Sequence, residues 1–168
     1  MKPTYKMQFK RRRLGKTDYQ RRLKLLMGKK PRLVVRKSLK YITAQVIEFD
    51  RVGDKTIVAA SSKELKKYEW KFALDNLPAA YLTGLMIGKK IVKAGIKEIV
   101  LDSGLYPSVK GNRIYAVAKG VVDAGAKIAV SADVLPSEER IKGMHIANYL
   151  ERFKSLPEEI ERIKQKVK

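Results

Sequence analysis

Residues 76–101 read NLPAAYLTGLMIGKKIVKAGIKEIVL, and this stretch decides the fold class. Asn76 suits a helix N-cap, Pro78 falls in the first turn and Gly95 stands where a helix ends, so a helix is expected over Leu77–Ala94. Lys97–Leu101 then reads as a short buried strand. The unit repeats at once. The loop Asp102–Gly111 leads to a helix from about Asn112 to Ala124, with Ile114, Val117, Ala118 and Val121 inward. Gly125 closes it, and Lys127–Val130 is another strand. Strand–helix alternation implies crossover connections, hence at least one parallel strand pair. Ala80, Gly84 and Gly88 form a small-residue stripe at spacing four, which reads as close packing of the first helix onto a sheet.

Upstream, Pro31 opens the globular part. Arg32–Arg36, Lys40–Phe49 and Lys55–Ala60 are rich in β-branched and aromatic residues, and the turn Asp50–Asp54 separates the last two. Connections this short favour an antiparallel meander. Ser61-Ser62 introduces a charged segment, Lys63–Phe72, expected to be helical in part. Downstream the chain is helical. Ser137-Glu138-Glu139 opens a turn, Gly143–Phe153 continues with Ile146, Leu150 and Phe153 on one side, and a last helix starts at Leu156-Pro157. That helix has a narrow seam of Ile160, Ile163 and Val167, and its acid-first, base-last order matches the helix dipole. The expected architecture is α/β: an antiparallel β-meander, then helix–strand–helix–strand units in a mixed sheet. A basic N-terminal extension and C-terminal helices complete it. The expected divisions are a basic arm with a short helix at 1–30, an α/β core at 31–132 and a helical extension at 133–168.

Charge is the second signal. The first forty residues carry sixteen Lys and Arg against one acid, Asp18, a net of +15 out of +21 for the chain. The other 128 residues hold 22 bases and 16 acids. The charge therefore sits in an arm on a nearly ordinary domain, which points to a polyanionic partner. No apolar run reaches the roughly 18 residues of a membrane span, no long apolar face lies beside the arm, and no secretory leader opens the chain. Neither a membrane nor secretion is expected. Cysteine is absent, which excludes disulfides and thiolate metal sites and fits a cytoplasmic protein.

Within the arm, residues 1–16 lack an apolar period. Tyr5 and Phe9 stand among Lys10, Arg11, Arg12, Arg13 and Lys16, so they read as a tail that orders on RNA, with the aromatics free to stack on bases. Thr17-Asp18-Tyr19-Gln20 has capping-box spacing, and a helix is expected to Met27 with Gly28 at C′. Its apolar face (Tyr19, Leu23, Leu26, Met27) is expected to dock on the domain and hold Arg21, Arg22 and Lys24 outward. Arg32, Arg36, Lys37 and Lys40 follow on the sheet edge. A second candidate contact is the loop Ser103–Arg113, with Tyr106, Lys110 and Arg113 just ahead of a helix N-terminus. Tyr19 completes the set of expected RNA contacts.

Catalysis is not expected. His145 is the single histidine, no Ser-x-Gly elbow surrounds a nucleophile, and no phosphate-binding glycine loop or cofactor motif is present. The enzymatic rival is a hydrolase using Asp102 and a metal. The binding rival is a general RNA-binding protein without a ribosomal role.

The residues also carry a resemblance. Pro31-Arg32-Leu33-Val34-Val35-Arg36, Ala44-Gln45-Val46-Ile47 and Ala59-Ala60-Ser61 resemble the opening of the 5S-rRNA-binding family of the large ribosomal subunit, protein eighteen in the bacterial and archaeal count. So do Gly88-Lys89 leading to Lys93-Ala94-Gly95-Ile96-Lys97, and Gly111-Asn112-Arg113 leading to Asp123-Ala124-Gly125. Gly15-Lys16-Thr17-Asp18-Tyr19 and Gly143-Met144-His145-Ile146-Ala147 are similar to its archaeal and eukaryotic branch. In the loop before Gly111 this chain has Val109-Lys110 where some bacterial forms have histidine. The resemblance implies a mixed α/β core with a basic extension and no catalysis. It also implies 5S rRNA binding in the central protuberance, contacts to the large-subunit rRNA and neighbouring large-subunit proteins, and a place on the cytoplasmic ribosome.

Overall fold

The structure, a computed structural model, describes Thr4 and residues 6–167. Three strands come first: β1 (Arg32–Lys37), β2 (Ile42–Glu48) and β3 (Lys55–Ser61). β1 pairs antiparallel with β2, and β2 with β3. The helix α3 (Leu77–Lys93) crosses over to β4 (Glu98–Asp102), which lies parallel to β1. A second helix, α4 (Arg113–Asp123), returns to β5 (Lys127–Ile128), parallel to β4. The sheet order is β3-β2-β1-β4-β5, so the expected meander and parallel units share one mixed sheet. The expected fifth strand is shorter than its sequence pattern, with only Lys127 and Ile128 pairing.

Side-chain alternation divides the sheet into two unlike faces. Leu33, Val35, Ala44 and Val46 are fully buried beneath α3 and α4. On the other face the register places Arg32, Val34 and Arg36 beside Ile47, Gln45 and Thr43 of β2. No long helix covers that face. Asn76 caps α3 by accepting from the Ala79 amide at 2.9 Å, and Asn112 caps α4 by accepting from the Tyr115 amide at 2.9 Å.

The small-residue stripe has a different partner from the one the sequence suggested. A Cβ on Gly84 would lie 2.2 Å from the Val117 carbonyl oxygen, and one on Gly88 2.5 Å from the Ala124 Cβ. Gly120 meets the Tyr81 carbonyl in return, at 2.3 Å from an added Cβ. The stripe seats α3 on α4 rather than on the sheet. Both helices lie side by side on one sheet face, so backbone must approach backbone between them, whereas sheet contact accommodates full aliphatic side chains.

One further expectation changes in detail. Gly143–Phe153 is not one helix. It is α6 (Met144–Tyr149), an extended Leu150 and a short 3₁₀ turn at Glu151–Phe153, preceded by α5 (Glu138–Ile141). The break brings Phe153 to 5.7 Å from the Phe72 ring and leaves Leu150 on the surface. The last helix, α7 (Leu156–Val167), buries Leu156, Ile160, Ile163 and Val167 in the main core, as its seam suggests.

Gly84→Ala tests the helix pair with an informative sign. Helix propensity alone would stabilise the variant by about 1 kcal/mol. Overpacking against Val117 is expected to win and cost about 1–3 kcal/mol, read as a lower midpoint in chemical denaturation. A second prediction concerns Glu98, held between Lys30 at 2.6 Å and Lys127 at 2.9 Å. The hydrogen bond from Lys30, then that from Lys127, lowers its pKa from 4.5 to about 2. A depressed carboxylate stabilises the fold above its unfolded pKa, so this contribution should fade as pH falls from 4.5 towards 2. NMR titration of the Glu98 carboxyl should show a midpoint near 2 that rises with added salt.

Candidate nucleic-acid interface

The arm folds back over the open face of the sheet. Lys10–Arg13 forms a single helical turn, α1, and Tyr19–Met27 forms α2. Asp18, not Thr17, caps α2. Its carboxylate accepts from the Gln20 and Arg21 amides, each at 3.0 Å, and the bond from Arg21 lowers its pKa. Thr17 serves the arm instead: its hydroxyl accepts from Arg11 Nε at 2.9 Å. The rings of Phe9 and Tyr19 lie 5.4 Å apart. At the far end Gly28 is still right-handed, and the positive φ falls on Lys29, one residue later than expected.

The docking of α2 departs from the sequence expectation in part: Tyr19 and Leu26 are largely covered, as expected, and Lys24 is exposed. None of its residues is buried, and Leu23 and Met27 are 63% and 69% exposed. Two of its three cations reach inward. Arg21 Nη1 donates to the Gly104 carbonyl at 2.7 Å, and Arg22 Nη2 to Asp54 Oδ1 at 2.9 Å. The surface beneath offers the Asp54 carboxylate and the Gly104 carbonyl to these arginines, beside the apolar side chains of Val34, Ile47 and Leu105.

That surface is a ladder of alternating charge. Arg32 is only 3% exposed, and its guanidinium reaches Asp54 Oδ2 at 2.7 Å and Asp102 Oδ2 at 2.9 Å. Arg36 takes the other oxygen of Asp102 at 3.1 Å and also donates to the Asp102 carbonyl at 2.8 Å. The Gly104 amide donates to Asp102 Oδ1 at 2.8 Å. Gly104 has φ +64, and a Cβ there would lie 2.8 Å from Arg36 Cζ, so a side chain would displace the guanidinium. The order is Arg22–Asp54–Arg32–Asp102–Arg36. A burial as complete as that of Arg32 is tolerable only with paired carboxylates.

The expected site residues therefore fall into groups. Arg11, Lys16, Tyr19, Arg21, Arg22, Arg32, Arg36 and Tyr106 line one cleft of about 710 Å³ between arm and sheet. Lys37, Tyr106 and Arg113 line a second, of about 460 Å³. There the Tyr106 hydroxyl donates to the Lys37 carbonyl at 2.6 Å, and Lys37 Nζ sits 5.0 Å from the Tyr106 ring centre. Arg113 donates to the backbone and side-chain oxygens of Asp75, at 2.6 and 3.1 Å. Lys10, Arg12, Arg13, Lys24, Lys40 and Lys110 line neither cleft and are exposed, as is Phe9. Tyr5 lies outside the described residues.

Sequence reasoning missed Asp54, read as part of a turn, and gave Asp102 to a possible metal. Asp102 instead meets two guanidiniums and an amide, and among the described residues no group of three His, Asp or Glu side chains could hold a metal ion. The available signal was Arg32 itself: an arginine flanked by Leu33, Val34 and Val35 in a strand needs an acid from elsewhere. Arg32→Ala should leave Asp54 to Arg22 alone and Asp102 to Arg36 and the Gly104 amide, and cost about 1.5–3 kcal/mol in denaturant unfolding, whereas loss of an ordinary surface arginine would cost less than about 1.

Comparison with known proteins agrees with this basic, non-catalytic surface. Residues 3–98 match the family described as ribosomal large subunit proteins 60S L5 and 50S L18. The chain is 52% identical over 149 residues to large ribosomal subunit protein uL18 of Korarchaeum cryptofilum, covering 89% of this chain and 76% of that one. It is 44% identical over 188 aligned positions to the uL18 protein of Methanococcus maripaludis, covering 99% and 97%. The chain belongs to the uL18 family of large ribosomal subunit proteins.

Proposed function

We propose that this ribosomal protein binds 5S rRNA and helps attach it to the large-subunit rRNA in the central protuberance, with the arm as its main contact. The observation that carries this reading is the division of the cations. Arg22, Arg32 and Arg36 are paired with Asp54 and Asp102. Lys10, Arg13, Lys16, Lys24, Lys40 and Lys110 are exposed and in no ion pair among the described residues, and Arg12 is exposed with only the charge of Asp18 nearby. These are the charges that phosphates meet, with release of condensed counterions. Phe9, Tyr19 and Tyr106 offer ring faces to unpaired bases, and Tyr5 belongs to the same arm by sequence. Arg32 contributes by holding the surface, not by touching phosphate.

Filter binding at physiological salt tests the reading. Affinity for 5S rRNA should exceed that for tRNA or duplex DNA, and equal affinities would favour the general RNA-binding alternative. Deleting residues 1–30 should lower 5S rRNA affinity by orders of magnitude while the circular dichroism spectrum keeps its native form, because neither α1 nor α2 contains a buried residue. If six arm cations meet phosphate, log K should fall against log salt with a slope of about −4 to −5. Lys110→Ala should weaken binding without unfolding. Arg113→Ala should also release Asp75, so its loss mixes contact with positioning.

A further inference from the structure

We infer that Asp54, an acid on a polyanion-binding face, is a positioning residue for RNA binding: it bridges Arg22 of the arm helix to Arg32 of the sheet and thereby fixes how the arm presents its cations. The inference rests on the RNA-binding reading above and concerns how that site is held.

Three observations carry it. First, α2 has little else to hold it. None of its residues is fully buried; Tyr19, Arg22, Leu25 and Leu26 are largely covered and the other five are exposed. Among the described residues the Arg22–Asp54 ion pair is one of two polar ties from α2 to the core, the other being Arg21 to the Gly104 carbonyl. Second, the anchor is fixed. Asp54 uses its second oxygen on Arg32, which is buried and held from the opposite side by Asp102. A carboxylate on a free loop would tether α2 loosely; one locked to a buried guanidinium sets its place. Third, the position of α2 passes outward along the arm. Tyr19 stacks near Phe9, and Thr17, at the foot of α2, accepts from Arg11. The run Arg11–Lys16 therefore takes its orientation from the same bridge.

The consequence has an unusual sign. Removing an acid from a basic protein raises its net charge and, by Coulomb attraction alone, tightens polyanion binding. If Asp54 positions the arm, its removal must weaken binding, because the arm's cations then have to be ordered at the moment of association. Asp50, in the same turn, provides the control: its carboxylate touches only the Val52 amide, at 3.4 Å.

The experiment compares the full chain with its Asp54→Asn and Asp50→Asn variants by fluorescence anisotropy with 5S rRNA, and by hydrogen exchange of the α2 amides without RNA. Asp54→Asn should bind about tenfold more weakly, the scale of a lost pre-organised contact. Its α2 amides should exchange faster than those of the wild type. Asp50→Asn should bind as tightly as the wild type or more tightly. Tighter or unchanged binding by Asp54→Asn, or unchanged exchange in α2, overturns the inference. If Asp54→Asn fails to fold, Arg22→Gln keeps the Asp54–Arg32 pair and must show the same fast exchange in α2; wild-type exchange there overturns the inference equally. A wild-type protein that binds tRNA as well as 5S rRNA would refute the earlier reading, while the exchange measurement would still decide the role of Asp54.

Discussion

The guanidinium of Arg32 sits almost out of solvent between two carboxylates, and the arm-bearing face of the sheet depends on that arrangement. A buried charge is costly to desolvate, and its pairing returns that cost without guaranteeing a net gain in stability. What the pairing fixes is geometry. Arg32 lies on β1, Asp102 ends β4, and Asp54 comes from the turn before β3. Three separate parts of the chain are thus joined at one side chain. From there the contacts run to Arg36 and Gly104 on one flank and to Arg22 and α2 on the other.

The two faces of the sheet follow different physics. One is closed by α3 and α4, which approach so nearly that glycine is required at their crossing. The other is polar and carries the arm. This division suits a protein whose task is to present charge from a rigid support. As a uL18 family member the chain is a structural constituent of the large ribosomal subunit and not an enzyme. No described helix is long and apolar enough to cross a membrane, and Asp102, the acid open to a metal reading in the sequence, is occupied by arginines.

Much of the fold was legible because it rests on local rules. Asn76, Asn112, Gly95 and Gly125 mark helix ends, and β-branched runs with short turns mark the meander. Two of the misreadings share one cause: a partner distant in sequence decided the outcome. The glycine stripe has a local spacing, but whether α4 or the sheet lies against it is a tertiary matter. The apolar face of α2 looked like a docking face, yet the surface below it offered Asp54 and a carbonyl oxygen, so Arg21 and Arg22 turned inward. In the site, residue type pointed correctly to a concentration of positive charge. It could not separate arginines bound to carboxylates, such as Arg32, from lysines left facing solvent, such as Lys24, because that distinction depends on Asp54 and Asp102 many residues away.

The central claim is that the exposed part of the arm, held by this ladder, meets 5S rRNA. Ultraviolet crosslinking in cells, with sequencing of the bound RNA and mass spectrometry of the crosslinked peptides, tests it most directly. The account predicts that 5S rRNA dominates the recovered RNA, accompanied by large-subunit rRNA, and that the crosslinked peptides come chiefly from residues 6–24. Reads spread evenly over tRNA and messenger RNA, or crosslinks confined to the helical side of the sheet, would contradict it.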